Sequence, residues 1–285
     1  MTLTLNGRPC LCDLKNVNFN AGLIPDYSIS HVQQLYLLRY AFAYAFEYKH
    51  MYLSLFKRQH FPDNISLLSL GCGTIIDYWS LLQALKETGQ RKCEVTYIGL
   101  DLVNWEYKFM ARKRDNVWFE QENGASWISD SPTLGYDVYI FPKSISEFSD
   151  DDFELICNSF ENKEISKDNF HMLISLRVDK YSMERDISRT NRILTALERN
   201  GYFTDDRYNV YTYFSDETKG IRYYDSDFLF PSEAIEIIKK LNQLCKSYIE
   251  NGENCYCDCE TLLTRWPILK PTTIRYQVIS FERGN

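Results

Sequence analysis

No apolar run in this chain approaches the length of a bilayer span, and its first residues, MTLTLNGRPCLCDL, carry neither the basic start nor the apolar core of a signal peptide. A cytoplasmic protein without membrane association is the expectation. Tracts rich in Pro, Gly or Ser are missing, as are long blocks of one charge sign and repeats with a period of about 20 to 50 residues. Those absences exclude linkers, low-complexity tails and solenoids. Positive charge is also in deficit: the net charge is -7 over 285 residues, which disfavours extended nucleic-acid binding. The best local basic cluster is Lys108, Arg112, Lys113 and Arg114, which reads as the solvated face of a short helix over Trp105 to Arg114.

The chain has nine cysteines. In a cytosolic protein they are expected to be reduced. Cys10 and Cys12 alternate in "PCLC", and Cys255, Cys257 and Cys259 alternate in "NCYCDCE". On a strand that spacing puts the thiols of each group on one face. Zinc or an iron-sulfur cluster needs four ligands, and five thiols are present if the two groups meet in space. The C-x-x-C spacing of such sites is missing, so free thiols and no metal are expected.

What is present is a folded composition, with 45% hydrophobic and 25% charged residues. The length fits one large domain with additions. Residues 1–60 read as a helical cap packed on the main domain. A helical segment from Ser30 to Lys57 carries Tyr36, Tyr40, Tyr44, Tyr48 and Tyr52 at four-residue steps. That step drifts slowly around a helix, giving one winding stripe, either a packing face or a lid over a ligand site. Residues 61–285 read as the main domain, with C-terminal insertions.

From Ile65 the pattern alternates. Apolar runs at Ile65–Leu70, Val95–Leu100, Asn116–Gln121, Tyr136–Phe141 and Phe170–Leu176 read as strands. Helical stretches follow over Ile75–Lys86, Trp105–Arg114, Gly124–Ile128 and Asp150–Phe160, the last capped by Ser146 or Ser149. Helices near Glu184–Arg199 and Ser232–Ile249, and strands at Tyr208–Phe214 and Ile274–Phe281, complete the chain. Strands separated by helices predict an α/β fold: a doubly wound, mostly parallel, Rossmann-like sheet covered on both faces.

"SLGCGTIIDYW" directly follows the first of these strands. In a doubly wound sheet ligands bind at the carboxyl ends of the strands where the winding reverses. Gly71 and Gly73 permit backbone angles closed to other residues and let a ligand approach the main chain, while the next helix turns its amides toward it. Asp101, in "YIGLDL", is placed to accept two hydrogen bonds from a ribose diol.

"LLSLGCGTIIDYWSLL", "VTYIGLDLVNW", "VWFEQENGASW" and "YDVYIFPKSISEF" resemble, in this order, the motifs of the class I S-adenosylmethionine-dependent methyltransferases. The resemblance covers about residues 60–180 and is to the superfamily. It implies methyl transfer from S-adenosylmethionine to an acceptor, small molecule or macromolecule, that the residues do not identify. It further implies Gly71, Cys72 and Gly73 beneath the methionine part of the cofactor, Asp101 with Leu102 at the ribose, and Asn123 with Gly124 and Ala125 at the adenine. Asp77 would meet the cofactor's amino group. Phe141 and Pro142 begin the loop toward the acceptor, where Lys143 would orient an anionic group, beside Ser144, and Glu147 would accept a proton or hold an amine.

Three positions depart from the family. Ile75 stands where a third glycine is common, Ser69 replaces an acid, and Asn123 replaces the adenine-side acid or leaves that role to Glu122. The Asn/Asp-Pro-Pro-Tyr motif of amino-group methylation of bases and glutamine is absent. Two alternatives stay open: a non-catalytic binding or interaction protein on the same fold, and an NAD(P)-binding Rossmann protein. The latter's G-x-G-x-x-G fingerprint needs a glycine where this chain has Ile76.

Overall fold

The structure is a computed structural model and describes residues 4–5, 8–9, 25–61, 63–177, 180–214 and 273–284. Two short strands, β1 (Thr4–Leu5) and β2 (Arg8–Pro9), pair antiparallel. Helix α1 (Ser30–Phe56) follows as one unbroken 27-residue element. Then come β3 (Asn64–Leu70), α2 (Ile76–Glu87), β4 (Glu94–Asp101), β5 (Asn116–Gln121), α3 (Gly124–Asp130), β6 (Thr133–Leu134) and β7 (Val138–Pro142). The rest is α4 (Asp150–Asn162), β8 (Glu164–Ile165), β9 (Asn169–Leu176), α5 (Lys180–Arg199), β10 (Tyr202–Phe203), β11 (Val210–Phe214) and β12 (Thr273–Arg283). The Ser232–Ile249 helix expected from the sequence lies outside the described residues, as do Cys10, Cys12, Cys255, Cys257 and Cys259.

The chain divides into two compact units, and the boundary falls inside α1 between Ala43 and Tyr44. In the first unit, Trp105 packs on Tyr27 and Tyr36 with ring centroids 5.0 and 5.3 Å apart. The Glu106 amide donates to Gln33 Oε1 at 2.8 Å. The second unit, which starts at Tyr44, holds the main sheet.

That sheet has eight strands in the order β10-β12-β9-β7-β3-β4-β5, with β11 also paired to β12. Strands β5, β4, β3, β7 and β9 are parallel neighbours, and β12 runs antiparallel to β9. From β3 the chain winds to β4 and β5, then returns across β3 to β7 and β9. The winding therefore reverses between β3 and β7, as a doubly wound Rossmann-like sheet requires. Strands β7 and β9 are buried almost end to end because helices cover both faces. Rings of Tyr139, Phe160, Phe170 and Tyr202 meet edge to face between sheet and helices. Each such fully buried side chain contributes on the order of 1.5–3 kcal/mol. Helix α4 starts at its Ser149 cap, whose hydroxyl accepts from the Asp152 amide at 3.0 Å.

One expected helix is corrected: Trp105–Arg114 is not helical. Its amides are taken by tertiary partners instead of by carbonyls four residues back. The Phe109 amide donates to Thr74 O at 3.3 Å and the Arg112 amide to Tyr78 Oη at 3.0 Å. The Phe109 ring stacks on Trp79 at 5.2 Å and 5°. Arg112 binds Asp115 through two nitrogens, at 2.6 and 2.8 Å. The basic cluster therefore does not lie on a helix face, and one of its members is paired.

Candidate active site

The turn after β3 has three residues in the left-handed region: Gly71 at φ 76°, Gly73 at φ 54° and Ile75 at φ 55°. Glycine takes such angles freely, whereas a β-branched residue there is a strained exception. Ile75 thus holds a backbone shape that glycine takes freely while burying its side chain, 3% exposed. The turn is fastened to β4, because the Gly71 and Cys72 amides both donate to Leu100 O, at 2.8 and 3.0 Å. A Cβ on Gly71 would stand 2.5 Å from Ser144 Cβ, so glycine is required there for space as well as for φ. The Ser144 hydroxyl donates to Leu70 O and ties the loop after β7 to the same turn.

Asp101 ends β4 and faces the turn. One carboxylate oxygen accepts from the Gly73 amide at 2.8 Å, the other from the Val103 amide at 2.8 Å. A carboxylate has about four acceptor positions, so holding the turn and accepting from a sugar diol are compatible. Beside it Leu102 is 68% exposed, an apolar side chain presented at the strand's carboxyl end. Within the turn, the buried Thr74 hydroxyl has no hydrogen-bond partner among the described residues. Cys72 is buried, and burial raises its thiol well above the ordinary value.

Asp77 is fully buried in the first turn of α2, and both its oxygens accept from Tyr97 Oη, at 2.8 and 2.9 Å. Burial pushes it up to about 6. Asn123 caps α3: its Oδ1 accepts from the Ala125 and Ser126 amides at 2.8 and 3.4 Å, and its Nδ2 donates to Asp152 at 2.9 Å. Gly124 is pressed against Leu70, whose Cδ2 would lie 2.9 Å from an added Cβ. Phe141 is buried under Phe148 with ring centroids 6.3 Å apart.

The loop after β7 gathers ionisable groups. Lys143 is a second left-handed non-glycine residue, at φ 62°. Its ammonium donates to Glu47 at 2.9 Å and to Leu176 O at 3.1 Å. The Ser175 hydroxyl also donates to Glu47. Glu147 pairs with Arg177 at 2.5 Å. Burial pushes Glu147 up to about 7, opposed by Arg177 and reinforced by the charges of Asp101 and Asp186. Nearly half of the Glu147 side chain still meets solvent. Asp186, buried, accepts from the Arg177 amide at 2.8 Å through one oxygen, while the other has no partner among the described residues.

The structure thus brings Gly71, Cys72, Gly73, Asp101 and Ser144 together through direct bonds or contact. It places Asp77 beneath the turn, engaged by Tyr97, and Asn123 at the α3 cap. Sequence reading missed Glu47, Ser175, Arg177 and Asp186. Glu47 had a signal, since it is the sole carboxylate of α1 and stands between Tyr44 and Tyr48. Among the described residues no group of three or more metal-ligating side chains occurs, and no helix is long and apolar enough to cross a membrane.

The chain therefore has a doubly wound Rossmann-like sheet, with a glycine turn and an acid-ended second strand at its winding reversal. No protein-family model matches it, and no curated protein does. Among solved structures it is similar to the plantazolicin methyltransferase BpumL in complex with SAH, at 14% identity over 89% of each chain and a TM-score of 0.41. It is also similar to a SAM-dependent methyltransferase from Archaeoglobus fulgidus, at 15% identity over 82% of this chain and 94% of that one, with a TM-score of 0.38. A third is the 1,6-didemethyltoxoflavin-N1-methyltransferase of Burkholderia thailandensis, at 10% identity over 84% and 79% and a TM-score of 0.40. Likenesses this distant concern the fold, and the reading of the site rests on its own geometry.

Proposed function

We propose that the protein is an S-adenosylmethionine-dependent methyltransferase. One observation carries this reading: the left-handed Gly71–Gly73 turn and the Asp101 carboxylate form a single hydrogen-bonded unit at the winding reversal. The turn brings main chain, not side chain, to the ligand, and the carboxylate suits a ribose diol. Leu102 offers an apolar face to the base, and the Thr74 hydroxyl is a further polar group in the turn. Bound cofactor would supply an electrophilic methyl group. The chain's own part is alignment and exclusion of water, with the half-exposed Glu147 facing the acceptor and Lys143 and Ser144, engaged by Glu47 and Leu70 O, holding the loop that presents it. Glu147 is suited to hold or take a proton near neutral pH.

A non-catalytic binding protein on this fold is the second reading. It is favoured by Asn123, whose side chain is spent on capping α3 and on Asp152. An NAD(P) site is disfavoured because Ile76 is buried where the third glycine of that fingerprint belongs.

Isothermal titration with S-adenosylmethionine and S-adenosylhomocysteine tests the proposal. Binding of both is expected, weakened at least about tenfold in Asp101→Ala, in keeping with the loss of charge-assisted hydrogen bonds of roughly 1.5–3 kcal/mol. Folded Gly73→Arg should not bind. Absence of binding to either ligand by the wild-type chain supports the second reading, and NAD(P) binding in their place refutes the first.

A further inference from the structure

The opposite end of the same sheet carries positive charge. Strands β3, β4 and β5 are adjacent and parallel, with aligned starts: Asn64 stands beside Glu94, and Thr96 beside Asn116. The segments leading into them therefore lie side by side, about 4.8 Å apart per strand. Arg91 and Lys92 precede β4, and Lys113 and Arg114 precede β5, with the Arg114 guanidinium donating to Arg91 O, while Lys86 ends α2 at the same edge. All five are exposed. Among the described residues none has a carboxylate within salt-bridge distance.

The neighbouring acids do not cancel this charge. Glu87 is paired with Lys49 and Asp115 with Arg112. Asp63 and Glu94 are the remaining acids of these segments. A chain of net charge -7 thus concentrates these cations, none within reach of a carboxylate among the described residues, along the leading edge of β4 and β5.

An aromatic platform adjoins the ridge. Trp118 lies two residues into β5, the edge strand, and is 47% exposed. Strand alternation puts Phe119 on the other face, where Lys108 Nζ covers it at 4.1 Å from the ring centroid. Trp118 is left exposed on the face of β5 turned away from α2, four residues beyond Arg114. Cations that follow a phosphate backbone, next to a ring on which a base can stack, are the two components of sequence-tolerant single-strand binding.

We propose that this ridge, Lys86, Arg91, Lys92, Lys113 and Arg114 with Trp118, binds single-stranded nucleic acid at the end of the sheet opposite the glycine turn. The proposal is independent of the cofactor reading and needs no activity to test it. Fluorescence anisotropy of the full chain with labelled oligo-U and oligo-dT of about 20 nucleotides, a length spanning more than one typical stacking site, provides the measurement. Binding to at least one probe is expected, and the two probes distinguish RNA from DNA as the source of the strand.

With about four phosphates neutralised, affinity should fall roughly 50-fold between about 50 and about 200 mM salt, from a slope near -0.7 per phosphate. The reversal Arg91→Glu/Lys92→Glu/Lys113→Glu/Arg114→Glu should abolish binding. The milder Lys92→Gln/Lys113→Gln, less prone to disturb folding, should weaken it and flatten the salt slope. Trp118→Ala should weaken binding about tenfold with the slope unchanged. The proposal is overturned if neither probe binds at about 50 mM salt. It is equally overturned if a labelled poly-glutamate peptide binds as tightly and Trp118→Ala has no effect, which would assign the ridge to an acidic protein partner.

Discussion

Ile75 offers the sharpest test of the backbone account, through replacement by alanine and, separately, by glycine. Both variants lose a side chain that is 3% exposed, a truncation worth about 2–5 kcal/mol for isoleucine to alanine. Elsewhere in a structured segment glycine is the worse choice, by roughly 0.5–1 kcal/mol, because its unfolded state is freer. At φ 55° and ψ 36° the order should reverse. Alanine's Cβ meets the following carbonyl oxygen there, at about 1–2 kcal/mol, and glycine has no Cβ to clash. The two effects leave Ile75→Gly more stable than Ile75→Ala by roughly 0.5–1 kcal/mol, although it is one carbon smaller. Urea unfolding at equal m-value should show this gap, and the melting temperature should differ by about 2 °C. An alanine variant as stable as the glycine variant would mean that residue 75 does not sit in the left-handed region, and the description of the turn would fail with it.

Buried His171 is held down at about 4 by burial, so it stays neutral in the folded chain while the unfolded chain takes up a proton below about 6.5. Stability should therefore fall by about 3 kcal/mol as pH drops from 6.5 to 4, relative to a His171→Gln variant, measured by urea midpoints across that range. Asp77 has the opposite sign: burial raises it to about 6, so the unfolded chain loses its proton first. Its contribution should decline by about 3 kcal/mol as pH rises from 3.8 through 6, and Asp77→Asn should remove that slope; an unchanged slope would put Asp77 in contact with solvent. Glu47→Ala strands the Lys143 ammonium, and breaking a buried pair costs about 3–5 kcal/mol. Thermal unfolding should register that loss, and Glu47→Ala/Lys143→Met should recover much of it; no recovery would show that the pair is not the cause.

Periodicity made most of the second unit legible. The apolar run of β9 and the Ser149 cap of α4 are signals carried within a few residues, and both elements stand where the sequence places them. Trp105–Arg114 reads as a helix in the sequence, but the Phe109 ring and amide are claimed by Trp79 and Thr74. That competition is tertiary and leaves no local trace. The same limit applies at the candidate site. Gly71, Gly73 and Asp101 announce themselves because turns and strand ends constrain residue type. Glu47 meets Lys143 across 96 residues, and a pairing over that separation has no periodic signature.

Strain is concentrated at one place in the fold. Ile75 and Lys143 are the two non-glycine residues with positive φ among those described, and they follow β3 and β7, the two strands between which the winding reverses. Each residue held this way costs on the order of 1–3 kcal/mol and persists where surroundings over-determine it. Lys143 is over-determined by Glu47 and Leu176 O, Ile75 by burial and by its amide bond to Cys72 O at 3.0 Å. Packing alone does not require this coincidence, since β4 and β5 are joined with no such residue. A site that needs two carboxyl-terminal turns bent toward one point accounts for it. Glu47, although on α1, fixes the Lys143 turn, and that turn sets Ser144 against Gly71 and the direction in which Glu147 leaves the sheet.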